Sequence, residues 1–504
     1  MDRVSSHPVL SCAEAKAWEA GLLRDEAAEW DAMQRAGAAL ARAIEEDFRE
    51  ISGLPENARI LVLMGRGHNG GDAVIAATAL MRRRPEARVQ VVRAFPEGGS
   101  PRPLTQRAHR ELVQAVGAQE EVFDWQQGMT NSYDLCLDGV FGMQFRPPMQ
   151  EATAKLLAWV NTHPRIRLRA AVDLPSGLGA ENAGTVFRAD FTYATGIAKS
   201  PVIAAANAPL VGRLRCLDLG FFATGEPAGM TERVLAPGIL APLAALRSSQ
   251  TDKRSFGHVF VVGGSRSYPG AVVLAVRAAL RSGAGLVTAF VPASLAAEYA
   301  ARHPEAMWVG CPETASGGLA GGAVDLIQER LARASALLLG PGMSAEPEVL
   351  RTMEAIVRNT NIPLVLDADA LRPEVLAPAR GRTVICTPHA GEYQRLGGRA
   401  GLQPTSGEAK VIAVLKGPMT RVTDGKIIYH SPFGGPVLAR GGSGDILAGL
   451  IGGLLAQVPG EPLLAACRGT VWHGRAADLL ARTRGQVAVE ISEIFEQLGP
   501  ALTS

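Results

Sequence analysis

Cysteine is sparse and unpatterned in these 504 residues: Cys12, Cys136, Cys216, Cys311, Cys386 and Cys467 form no C-x-x-C pair and show no zinc-site spacing. A disulfide scaffold is thereby excluded, and the pattern fits reduced thiols in a cytoplasmic protein. Long apolar runs are missing as well. The nearest, Asp445 to Val458 ("DILAGLIGGLLAQV"), begins with a charge and falls short of the roughly 18 to 20 residues of a membrane span, so it reads as a buried helix. The N-terminal "MDRVSSHPVLSCAEAKAWEA" has no apolar core of a signal peptide, so no membrane partner is expected. Charge bias is the third absence. With 51 basic and 49 acidic residues the net charge is +2, and no block of like charge suggests a nucleic-acid arm, which points to a small-molecule partner. Lysine is scarce beside arginine, so the few lysines, Lys416 among them, carry more information than usual.

The length predicts two domains. In the first half, aliphatic runs at Ile60–Met64, Val89–Arg93, Leu135–Asp138 and Leu168–Asp173 read as strands separated by segments of helical length, which gives a largely parallel α/β sheet. A long helical arm, Glu14 to Phe48, precedes it. Periodicity dissolves over 223–250, read as a linker between domains at 1–222 and 251–504. From His258 a second α/β series begins, with "HVFVVGGS", "AGLVTAFV", "ALLLGPG", "PLVLDADAL", "TVICTPHAGE" and "VIAVLKG" each ending a strand in a polar or glycine-containing loop, where ligands of open α/β sheets collect.

Two glycine-rich stretches carry the chemistry. In "ARGGSGDILAGLIGGLL", a helix is predicted to start near Ser443, so the free amides behind Gly441, Gly442 and Gly444 converge on one spot suited to phosphate. Asp445 in that first turn either favours the helix dipole or supplies a base or metal contact. In "RILVLMGRGHNGGDAV", Gly65-x-Gly67-x-x-Gly70 matches the dinucleotide fingerprint, but no acid ends the next strand, "RVQVVRAF", and Asp72 sits where a pyrophosphate would lie.

The motifs of the second half, "VVGGSRSYPGA", "LLLGPGMS", "LVLDADAL", "TPHAGEYQRL", "VLKGPMT" and "GGSGDILAGLIGGLLAQ", in this order over about 255 to 485, resemble the ribokinase-like NAD(P)H-hydrate dehydratases. "EWDAMQRAGAALARAI", "HNGGDA", "YDLCLDGVFGMQFRPP" and "AAVDLPSGL", over about 10 to 220, look like the NAD(P)H-hydrate epimerase domain. The resemblance implies an N-terminal Rossmann-like three-layer α/β domain, a C-terminal ribokinase-like α/β domain, and repair of hydrated NADH and NADPH. The first domain would interconvert R and S hydrates. The second would use ADP as co-substrate to dehydrate the S form, releasing AMP and phosphate.

Carried over motif by motif, the resemblance places the hydrate on His68, Asn69, Gly70, Gly71, Asp72, on Gly142, Met143, Gln144, Phe145, Arg146, Pro147 and Pro148, and on Asp173 in the first half, with potassium on Asn69, Asp138 and Ser176. In the second half it places the hydrate on Ala271, Gly342, His389 and Asp445, and the adenine nucleotide on Lys416, Gly417, Pro418, Met419, Thr420 and Gly444, with Mg2+ beside it. Asp173, then Asp72, are the acid/base candidates of the first site, and Asp445 is the base of the second. Plainer roles stand beside these. Asn69 is also a turn residue, Ser176 and His389 also caps, Asp138 a strand-end carboxylate, and Asp367 and Asp369 either magnesium ligands or turn residues. The chain departs from the family pattern at His68 for asparagine, Ala73 for glycine and Met419 for glycine, and in the loop "FGMQFRPP", Phe141 to Pro148, where "FGTGL" is commoner. A homo-oligomer is implied. The competing expectation is a vitamin-type kinase with a binding or regulatory first domain that lacks turnover.

Overall fold

The computed structural model describes residues 4–95, 99–117, 120–122, 132–179, 184–397 and 409–503. It divides into two compact units, one of His7–Met230 with Arg482–Gly485, the other of Met1–Ser6, Thr231–Ala481 and Gln486–Ser504.

In the first unit the chain runs β1 (Ser6–Leu10), α1 (Cys12–Leu22), α2 (Glu26–Phe48), β2 (Arg59–Met64), α3 (His68–Arg83), β3 (Arg88–Arg93), α4 (Pro103–Val116), β4 (Glu120–Val122), β5 (Tyr133–Gly139), α5 (Glu151–Thr162), β6 (Ile166–Val172), β7 (Phe191–Thr195), β8 (Ala198–Lys199) and β9 (Arg213–Leu217). The main sheet is ordered β4-β3-β2-β5-β6-β7-β9, with every pairing parallel. Its strands are aliphatic almost throughout because helices cover both faces. The expected single arm is two helices. Ser11 caps α1 in a capping box with Glu14, and Asp25 starts α2 afresh by accepting from the Ala28 amide. A short parallel pair outside the main sheet sets Leu10 of β1 against Lys199 of β8.

The second unit is a larger sheet. Its strands are β10 (Glu232–Leu235), β11 (His258–Val262), β12 (Leu286–Pro292), β13 (Met307–Cys311), β14 (Ala336–Leu339), β15 (Leu364–Leu366), β16 (Thr383–Cys386), β17 (Lys410–Leu415), β18 (Thr420–Thr423) and β19 (Ile428–Ser431), ordered β13-β12-β11-β14-β15-β16-β17-β18-β19-β10. The pairs from β13 to β17 are parallel, and β17-β18 and β18-β19 are antiparallel hairpins. Part of the segment read as a linker is structured: β10 pairs with β19, Arg233 opposite Tyr429, and a 3-10 turn follows at Pro237–Leu243. The run Asp445–Val458 forms most of a helix, Ser443–Gln457, with Val458 at its C-cap, and most of that helix is buried. It packs on the helix Pro269–Arg281 so closely that a Cβ on Gly449 would stand 2.2 Å from the Ala275 carbonyl oxygen. Among the described residues no helix is long and apolar enough to cross a membrane.

Candidate active sites

β2 delivers the chain into a tight turn, Gly67 becomes the N-cap of α3, and His68 opens the helix. The fingerprint glycines serve close approach. A Cβ on Gly65 would stand 2.0 Å from the Val140 carbonyl oxygen, and one on Gly70 would stand 2.3 Å from the Gly65 oxygen. Gly65, Gly67 and Gly70 all keep ordinary negative φ. The motif therefore presses the start of α3 against the end of β5.

A cavity of about 470 Å3 opens at this end of the sheet. Among the expected hydrate contacts, His68, Asn69, Asp72, Gly142, Met143, Gln144, Phe145, Arg146, Pro148 and Asp173 line it, whereas Gly70, Gly71 and Pro147 do not. Gly70 and Gly71 are buried in α3. Glu19, Arg66, Arg102 and Thr195 also line it, and none of these was expected from the sequence. Burial, together with Arg102, holds the His68 imidazole below its ordinary value against the pull of Glu29 3.8 Å away, so His68 is neutral near neutral pH.

Asp173 follows β6 with φ 66, left-handed for a non-glycine residue. Three donors converge on one of its oxygens, Oδ1: the Thr195 amide at 3.3 Å, the Thr195 hydroxyl at 3.2 Å and Lys199 Nζ at 2.5 Å. Oδ2 is left for a ligand. Asp72 is different in kind. Its Oδ1 is buried without a hydrogen-bond partner, and burial first, then the charges of Asp173 and Glu19, push it well above the carboxylate range. One carboxyl is thus protonated and the other is held by a cation.

Asn69, Asp138 and Ser176 meet through Phe141. The Phe141 carbonyl accepts from Asn69 Nδ2 at 3.0 Å, and its amide donates to Ser176 Oγ at 2.8 Å. Ser176 in turn donates from Oγ to Asp138 Oδ1 at 2.6 Å and from its amide to Oδ2 at 2.7 Å. Asp138 is fully buried, and that burial pushes it up to about 6. A Cβ on Gly142 would lie 3.5 Å from Asn69 Oδ1, so the glycine leaves that oxygen room.

In the second unit Gly442, at φ 92, caps the helix Ser443–Gln457 and places Asp445 in its first turn. Lys416, just past β17, reaches this end: its Nζ lies 3.2 Å from where a Cβ on Gly444 would stand, 3.1 Å from Asp367 Oδ1 and 3.9 Å from Glu392 Oε2. Burial alone would lower the lysine, but Asp367 and Glu392 outweigh it and hold the ammonium above its usual value. Burial, then the charge of Asp367, raises Asp445 to about 7. Gly417, Pro418 and Met419 form the turn from β17 into β18, which begins at Thr420. Ala271 and Gly342 are neighbours, for a Cβ on Gly342 would stand 3.0 Å from that of Ala271.

His389 is a helix cap. Its Nδ1 accepts from the Gly391 amide at 3.0 Å and the Glu392 amide at 3.3 Å, and its side chain is 60% exposed. Asp367 accepts from the Thr387 hydroxyl at 2.6 Å and Asp369 from the Ser344 amide at 2.9 Å, so both hold local structure. Among the described residues no three His, Cys, Asp or Glu side chains are grouped to hold a metal ion.

A family model described as NAD(P)H-hydrate dehydratase matches residues 259–499, and one described as YjeF-related protein N-terminus matches residues 30–200. A bifunctional NAD(P)H-hydrate repair enzyme of Moorella thermoacetica is 33% identical, over 92% of this chain and 91% of its own. Its counterpart from Gloeobacter violaceus is 35% identical, over 94% and 93%. Among solved structures, an ADP/ATP-dependent NAD(P)H-hydrate dehydratase from Bacillus subtilis, co-crystallised with ATP/Mg2+, matches with 24% identity and a TM-score of 0.45, over 53% of this chain and 96% of that one. The likeness to the repair enzymes runs through both units, and the chain belongs to the family of bifunctional NAD(P)H-hydrate repair enzymes.

Proposed function

We propose that the first unit equilibrates the R and S hydrates of NADH and NADPH and that the second dehydrates the S form with ADP, giving NAD(P)H, AMP and phosphate. The observation that carries this reading is the relatives' likeness over both units, 92% of this chain in the first case. The geometry supports it: the first unit sets Asp72, whose burial favours the protonated form, and Asp173, paired with Lys199, in one cavity, and the second sets a carboxyl and a lysine at a helix N-terminus.

In the first site, epimerising carbon 6 breaks and remakes its bond to oxygen. Asp173 and Asp72 move the proton that each event requires. Asn69 Oδ1, Asp138 and the Ser176 hydroxyl are hard oxygen donors with one negative charge, which suits potassium, and the ion would supply positive potential beside the dinucleotide. In the second site, Asp445 takes the proton of the carbon 6 hydroxyl as it accepts a phosphoryl group. The Gly442–Gly444 amides and Lys416 stabilise the transferring charge. Phosphate then leaves where hydroxide could not. Mg2+ would accompany the nucleotide and draw much of its oxygen shell from the phosphates.

The test is turnover on a mixed R and S hydrate pool with ADP or ATP. Complete recovery of reduced-nicotinamide absorbance, with AMP and phosphate from ADP, is expected. A stable phosphorylated product in its place would establish the vitamin-type kinase and overturn this reading.

A further inference from the structure

We propose that Lys199 and Glu19 complete the acid/base apparatus of the first-unit cavity: Lys199 bridges the carboxylates of Asp173 and Glu19, fixing Asp173 as the proton acceptor and leaving Asp72 as the proton donor. The proposal rests on the epimerase reading above.

Lys199 is a buried cation, 1% exposed, with Nζ 2.5 Å from Asp173 Oδ1 and 3.9 Å from Glu19 Oε1. A lysine this deep is unfavourable unless paired, and both of its partners line the cavity. The fold assembles the trio from distant segments: β8 pairs with β1, and α1, directly after β1, brings Glu19 to the lysine. Two carboxyls therefore share one ammonium. Asp72, on α3, has the buried unpartnered oxygen, and its burial favours the protonated form from which it can donate. The other groups facing the cluster are Cys12 at the start of α1 and Cys216 on β9. Burial raises both thiols, the second to about 12, so neither adds charge near neutrality. Arg215 lies beyond Cys216.

The atoms balance as follows. Asp72 gives its proton to the carbon 6 oxygen, the C–O bond breaks with its electron pair on oxygen, and the lone pair of the ring nitrogen forms the C=N bond. Water returns to the opposite face, the nitrogen recovers its pair, and the proton released goes to Asp173. The proton must then pass back to Asp72. Glu19, raised to about 7 by burial and one fifth exposed, is placed to exchange it with solvent. Lys199 is a positioning residue, because it acts through Asp173.

The experiment is a pH profile of kcat/KM for R-hydrate epimerisation by the full-length protein, coupled to excess S-specific dehydratase. The profile has an acidic limb set by the group that accepts the proton. Lys199→Met removes the neighbouring cation and is expected to move that limb upward by about one pH unit or more, with a loss of about 100-fold at neutral pH. Lys199→Arg is expected to return the limb toward the wild-type position, and Glu19→Gln to lower kcat about tenfold with KM unchanged. A uniform loss with the limb unmoved would make Lys199 merely structural and overturn the proposal. Circular dichroism and thermal unfolding report folding of each variant. If Lys199→Met does not fold, a wild-type kcat in Glu19→Gln overturns the proposal on its own. A wild type that never exceeds the spontaneous rate sinks the epimerase reading itself, a different result from an unmoved limb.

Discussion

At the scale of single residues, carboxyl groups are proposed to move the protons of both sites, Asp72 and Asp173 in the first and Asp445 in the second. Asp445 must be ionised to act as a base, and burial holds it at about 7. Dehydratase kcat/KM is therefore expected to rise with pH up to about 7 and level off above it, falling about tenfold per unit below. An acidic limb at the ordinary carboxylate value would remove Asp445 from that role. Asp173→Asn keeps the size of the side chain, and asparagine tolerates the left-handed backbone as aspartate does. Its epimerase rate should drop about 10^2- to 10^4-fold. A rate equal to wild type would show that Asp173 moves no proton. Asp173→Gly and Asp173→Ala both lose the carboxylate but differ in the backbone. The glycine variant should be the more stable by about 1–2 kcal/mol in denaturant titration, and equal stability would mean that φ 66 carries no strain. The placement of Asp72, Asp138, Asp173 and Ser176 at one end of the sheet was legible in the sequence, because each sits at or past a strand end or in a helix's first turns, where α/β sheets gather chemistry. Lys199 and Glu19 were not, since nothing in "GIAKSP" or "AKAWEA" says that β1 and β8 pair. Lysine scarcity marks the few lysines, Lys199 as much as Lys416, but does not say what either one meets. His68, which stands where the family pattern has asparagine, is held below the ordinary imidazole value by its burial.

Elements follow from patterning where each carries its own signal. Strands β2, β3, β5 and β6 of the first unit and β11, β12, β14, β15, β16 and β17 of the second were readable as aliphatic runs, whereas β4, β7, β9 and β13 were not, and the helix Ser443–Gln457 was readable from its apolar length. What escaped was decided by pairing. β10 lies in a stretch rich in proline, glycine and alanine and is a strand because β19 offers it a partner. The helical arm breaks because Asp25 finds an amide to cap, although the composition on both sides of it is helical. Helix contact in the second unit depends on absent side chains. Gly449→Ala would drive a methyl into the Ala275 carbonyl, so a loss of about 1–3 kcal/mol and a displaced Asp445 are expected. Unchanged unfolding and unchanged dehydratase turnover in that variant would show that the two helices can part freely.

For the whole molecule, the division of labour predicts how a mixed pool is consumed. Asp173→Asn should consume the S hydrate at the wild-type rate and then slow to the spontaneous rate of epimerisation, whereas Asp445→Asn should recover no reduced nicotinamide yet still equilibrate added R hydrate. Progress curves followed by reduced-nicotinamide absorbance, with chromatography of the two epimers, separate these outcomes. A single-phase curve in Asp173→Asn would mean that the first unit adds nothing. Two compact units on one chain also have a consequence for flux. Each translated copy supplies one site of each kind, so expression level cannot alter their stoichiometry. The standing ratio of the two epimers under load is set by the quotient of two kcat/KM values, and adjusting it requires changing residues, not dosage.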